Sequence, residues 1–66
     1  MIPEIDIWRA AALMLKHYGD KAIEESAALA DEMAALDDYH RQATWRRITE
    51  AVGQLANQTP PDGVLH

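Results

Sequence analysis

The chain has 66 residues, 11 acidic against 6 basic side chains, a formal net charge of −5 and no cysteine. This length predicts one domain with a thin core, and the lack of cysteine excludes disulfides and thiolate metal sites. The acidic balance argues against nonspecific binding to nucleic acid or to anionic membranes. The longest apolar run, residues 10–15, is far shorter than a membrane span. We therefore expect a soluble, cytoplasmic chain without a signal peptide.

The first predicted helix takes residues 7–18, with Asp6 as its N-cap and Gly19 just past its end. The chain is rich in alanine and poor in β-branched residues, which favours helix over strand. At about 100° per residue, Leu13 falls among the polar residues and Met14 lies at the edge of the apolar face.

The second predicted helix begins after Asp20 and continues through Leu36. Its apolar residues spread over about half of the circumference, which is typical of a helix with a neighbour on each side. Its alanines permit close approach of those neighbours. An Ala-Ala-Leu segment occurs in each of the first two helices, at 11–13 and 27–29, but three shared residues are too few to indicate a repeat.

Asp37 and Asp38 indicate a second break, and either carboxylate can cap a third helix over 39–57. A helix continuing through this point is the alternative, because neither glycine nor proline is present. The apolar stripe of the third helix consists of Trp45, Ile48, Val52 and Leu55. These elements predict an all-α fold, a small up-down three-helix bundle over 1–58, followed by a flexible tail at 59–66.

Catalysis has little support in the sequence. Ser26, the one serine, lies on a predicted buried face and fits a packing role. The segment 37–40 offers Asp37, Asp38 and His40 as oxygen and imidazole ligands, but successive residues at a helix start point in different directions. We therefore expect no enzyme activity, no cofactor and no metal, and keep a metal- or ligand-binding domain as an alternative.

Several strings resemble a known family. They are Asp-Ile-Trp-Arg-Ala-Ala at 6–11, Tyr-Gly at 18–19 and Trp-Arg-Arg-Ile at 45–48. Over about residues 6–55 the chain resembles a family of short helical proteins of alphaproteobacteria, a domain of unknown function. That family usually has Gly-Asp at the second break, where this chain has Asp37-Asp38. The resemblance implies a compact helical protein and implies no activity or site residue.

The function that the sequence favours is a small non-enzymatic protein–protein interaction module, as a homodimer or an accessory subunit. Trp8 and Trp45 are expected to anchor the core. Apolar residues at the helix edges exceed what three short helices can cover, and they are the predicted partner-binding residues: Leu13, Met14, Leu29 and Leu36. A second hypothesis is a small acidic inhibitor that mimics nucleic acid, with a continuous acidic face from Glu24, Glu25, Asp31 and Glu32.

Overall fold

The computed structural model describes residues 3–58, which form an all-helical structure. Helix α1 is Glu4–Tyr18, a 3₁₀ turn follows at Gly19–Lys21, α2 is Ala22–Ala35 and α3 is Tyr39–Gln58. No strand occurs within residues 3–58, so the predicted all-α class is confirmed. The predicted tail at 59–66 lies outside the described residues.

Helix α1 begins earlier than predicted, because Pro3 and not Asp6 is its N-cap. The Pro3 carbonyl accepts hydrogen bonds from the backbone N–H groups of Asp6 and Ile7, at 3.0 and 3.4 Å. Asp6 therefore lies inside the first turn, and its side chain is not the cap that was predicted. Glu4 and Asp6 lie in the first turn, where their charges suit the helix dipole.

The end of α1 is as predicted, with Gly19 at a φ of +58° and its N–H bonded to the carbonyl of Leu15. The start of α2 differs from the prediction. Asp20 lies inside the 3₁₀ turn, and Lys21 is the N-cap, without a side-chain cap hydrogen bond. The tight turn continues almost directly into α2, so Asp20 has no free helix start to cap.

The second break is present between α2 and α3. Asp37 has a φ of +61°, the N–H of Asp38 bonds to the carbonyl of Met33, and the N–H of Asp37 bonds to that of Ala34. These bonds form a Schellman motif. Asp37 occupies the left-handed position, which glycine adopts more readily. Asp38 then caps α3, since its Oδ1 accepts from the N–H of Arg41 at 3.1 Å.

The core lies where α3 meets the other two helices. Its buried hydrophobic residues are Ile7, Ala11, Met14, Ala22, Ile48, Ala51 and Val52. Trp8 and Trp45 are half-buried and pack against this cluster. Ser26 is fully buried and donates its hydroxyl to the carbonyl of Ala22, which is the predicted packing role.

Contacts at two points relate the helices. Glu4 in the first turn of α1 pairs with Arg47 in the middle of α3. Ile23 in the first turn of α2 lies 4.0 Å from the Cβ position of Gly53, near the end of α3. Helices α1 and α2 contact each other far less than either contacts α3. The boundary between α1 and α2, here called the seam, is therefore the least tightly packed of the three helix pairs.

Candidate protein interface

The structure divides the four predicted partner-binding residues into different environments. Leu13 and Leu36 are 55% and 70% exposed, and Leu29 is half-buried against the core. Met14 is buried, with 8% exposure, so its expected position at the edge of the apolar face is wrong. It belongs to the core with Ile7 and Ala11, one or two turns earlier on the same side of α1.

Leu13 lies on the side of α1 that points away from α3. Glu4 marks the side toward α3, because its carboxylate binds Arg47. At about 100° per residue, the spacing between Glu4 and Leu13 places Leu13 on the opposite side of α1 from Glu4. Ala10, one turn before Leu13, is half-buried against the core. Leu13 therefore borders the seam between α1 and α2.

Helix α2 presents an apolar strip on the same side of the molecule. Ile23 marks the side of α2 toward α3. Leu29 and Leu36 lie roughly 120–140° away around the helix, and Met33 lies about 80° away in the same direction. Leu29 and Met33 are half-buried, and Leu36 is the most exposed large hydrophobic residue of the described chain. We call Leu13, Leu29, Met33 and Leu36 together the seam face.

The acidic residues of α2 flank its exposed surface in two pairs. Glu25 and Glu32 lie on the side of Leu29, and Glu24 and Asp31 lie beyond Ala28 and Ala35. All four acidic residues are exposed, and α2 contains no lysine or arginine. The alanines separate the two pairs, so the carboxylates form two rows.

An open groove of about 600 Å³ lies at the end of the helices, where α1 gives way to the 3₁₀ turn. Its apolar lining includes Leu15, Ile23 and Leu55, and its charged lining residues are Lys16 and Asp20. Both charged residues are exposed. The groove therefore lacks the desolvated polar groups that orient a small ligand inside a pocket.

Arg47 forms the best-defined electrostatic contact. Its guanidinium donates to both carboxylate oxygens of Glu4, at 2.8 and 2.6 Å, and to Glu50 at 2.9 Å. The hydrogen bonds from Arg47 lower the pKa of the Glu4 carboxyl below its ordinary value of 4.5. The pair is exposed, so its role is to orient the start of α1 on α3 with little net stabilisation.

The Asp37, Asp38 and His40 segment is organised by the turn. Asp37 accepts a hydrogen bond from the Tyr39 hydroxyl at 3.1 Å, and Asp38 caps α3 while lying 3.6 Å from the Arg41 guanidinium. Within residues 3–58 no three carboxylate or imidazole side chains come together as a metal site would require. Both aspartates therefore have structural partners.

Comparisons with models of known protein families, with curated proteins and with solved structures found no match to this chain. Among the helices of residues 3–58, none combines the length and the hydropathy of a membrane-spanning segment. Function is therefore inferred from the surface of the molecule.

Part of this surface was missed at the sequence level. Ile5, Ile23 and Tyr39 are large apolar side chains with 57%, 45% and 64% exposure. Tyr39 follows the Asp37-Asp38 break, and an aromatic residue at a helix start next to a turn is a signal that could have identified it. The groove had no such signal, because it depends on the angle at which α1 meets α2.

Proposed function

We propose that this chain is a small non-enzymatic protein–protein interaction module. Its scaffold is a three-helix bundle in which α1 and α3 run in one direction and α2 runs in the other. The contacts of Glu4 with Arg47 and of Ile23 near Gly53 support these directions. The function of this scaffold is to hold the seam face in position for a protein partner.

The observation that carries the proposal is the exposed apolar surface along the seam. Leu36 and Leu13 are 70% and 55% exposed, and the half-buried Leu29 connects this surface to the core. Isolated exposed leucines are ordinary, whereas a cluster that extends from the core is typical of a binding surface. Burial of several such side chains is the main source of free energy in most protein association.

Replacement of Leu13 and Leu36 by glutamate tests the proposal. Both side chains are exposed, so the free energy of unfolding of the Leu13→Glu/Leu36→Glu variant should lie within about 0.5 kcal/mol of the wild-type value. It should nevertheless lose protein association, measured as solution mass by light scattering and as capture of a partner from extracts of the host. Far-ultraviolet circular dichroism verifies the fold.

Ile23→Glu is the matched control, because Ile23 is also exposed on α2 but lies on the side toward α3. This variant should associate like the wild type. Association that survives in the Leu13→Glu/Leu36→Glu variant, or that is lost equally in Ile23→Glu, would contradict the assignment of the seam face.

A further inference from the structure

The two helices that border the seam have the same side-chain spacing with opposite charges. On α1, Arg9 precedes Leu13 by four positions and Lys16 follows it by three. Residues at these spacings share one side of a helix. This side of α1 therefore carries a leucine with one basic side chain before it and one after it.

On α2 the same arrangement is acidic. Glu25 precedes Leu29 by four positions and Glu32 follows it by three. When the two Ala-Ala-Leu segments are aligned, Leu13 falls on Leu29, and each basic residue of α1 falls on a glutamate of α2. The two surfaces are therefore complementary in charge around a shared leucine.

The structure does not use these charges to join α1 to α2 within one molecule. The ion pairs within residues 3–58 place Arg9 3.9 Å from Asp6, and they include none from Lys16, Glu25 or Glu32. All four charged residues are exposed. Both complementary surfaces therefore remain accessible to another molecule.

Given the proposed function, we infer that the partner of the seam face is a second copy of this chain. In a twofold dimer, α1 of each protomer packs against α2 of its partner, so every contact occurs twice. Leu13 then meets the Leu29 and Leu36 strip, while Arg9 and Lys16 face Glu25 and Glu32. The same pairing also explains why a chain of net negative charge can associate with itself.

The size of the seam face determines the area that this dimer can bury. At about 1.5 Å per residue and about 10 Å across, α1 and α2 together present a face of roughly 400 Å². Two such faces in contact bury on the order of 1,000 Å², at the low end of specific interfaces. A face of this size fits a reversible dimer, so association should be measured over a wide range of concentrations.

Charge reversal with rescue tests the inference, with sedimentation equilibrium from micromolar to millimolar concentration as the measurement. Arg9→Glu/Lys16→Glu and Glu25→Lys/Glu32→Lys should each weaken dimerisation by more than about tenfold, because like charges then face each other. An equimolar mixture of the two variants should form a heterodimer. The chain with all four substitutions should regain the dimer.

Glu24→Lys/Asp31→Lys is the control for Glu25→Lys/Glu32→Lys, since it makes the same change in net charge on the other side of the Ala28 and Ala35 row. It should dimerise like the wild type. Equal loss of the dimer in this control, or no recovery in the fourfold variant and the mixture, overturns the inference.

A wild-type chain that stays monomeric at millimolar concentration also overturns it. If that monomer still captures a different protein, and Leu13→Glu/Leu36→Glu but not Ile23→Glu abolishes the capture, the interaction module survives and only the second copy is wrong. A monomer that captures nothing contradicts both proposals.

Discussion

Arg47 forms the one ion pair that joins two α-helices within residues 3–58. It binds the first turn of α1 through Glu4 and its own helix through Glu50. The side chains are about half exposed, so solvent weakens the attraction between them. Arg47 Nη2 donates to both carboxylate oxygens of Glu4, however, which fixes the orientation of that carboxylate.

Replacement of Arg47 by methionine should raise the pKa of Glu4 back toward 4.5, because the hydrogen bonds that lower it are removed. The measurement is an NMR titration of the Glu4 side-chain carboxyl. In the wild type, the depressed pKa stabilises the fold above pH 4.5, and that contribution is lost as the pH falls through the folded-state pKa. Arg47→Met should remove this part of the acid dependence.

Arg46→Met provides the comparison, since Arg46 is the neighbouring arginine and has no ion pair within residues 3–58. It removes the same charge and should leave the Glu4 titration almost unchanged. Equal shifts in the two variants would mean that the effect comes from general charge and not from the hydrogen bonds.

The helix ends show which parts of an element the sequence could predict. Gly19 and Asp38 act as predicted, because each meets a local requirement: a positive φ and a carboxylate ahead of free N–H groups. The capping roles predicted for Asp6 and Asp20 were wrong, because α1 already begins at Glu4 and a 3₁₀ turn contains Asp20. Competing backbone groups are invisible to a residue pattern.

Substitution by alanine should have opposite effects on stability at Gly53, inside α3, and at Gly19, at the end of α1. Gly53 lies inside α3, and a Cβ there would meet only Ile23 Cδ1 at 4.0 Å, an ordinary contact. Gly53→Ala should therefore raise the free energy of unfolding by up to about 1 kcal/mol. Gly19→Ala should lower it by at least about 1 kcal/mol, because its φ of +58° strains any side chain.

Urea denaturation followed by circular dichroism measures both changes. Space is not limiting at Gly19, where a Cβ has no neighbour within 4 Å. A stabilised Gly19→Ala variant would therefore show that the turn differs from the one described, and a destabilised Gly53→Ala variant would show that α3 packs more tightly at that point.

The seam face could be predicted only in part, because the sequence pattern does not determine how each helix is rotated about its axis in the bundle. Leu13 and Met14 are neighbours that were predicted together, yet one is 55% exposed and the other 8%. The pattern located the apolar side of α1, but the exact edge depends on how α1 packs against α3. Leu13 could be predicted because it departs from the apolar face, whereas Met14 lay on the boundary that packing decides.

At the scale of the whole molecule, the core is formed mainly through α3. Both other helices pack on it, and the buried residues are mostly small, with Val52 the largest hydrophobic side chain that is fully buried. A domain of this size has little stability in reserve. Covering the seam face in a complex would add apolar burial without any change to the helices.

Methyl NMR spectra recorded from micromolar to millimolar concentration test the seam face most directly. The methyl signals of Leu13, Leu29 and Leu36 should shift together as concentration rises, while those of Ile23, on the side of α2 toward α3, stay in place. Shifts of Ile23 with unchanged seam leucines, or no concentration dependence in any of them, would contradict a dimer formed through this face.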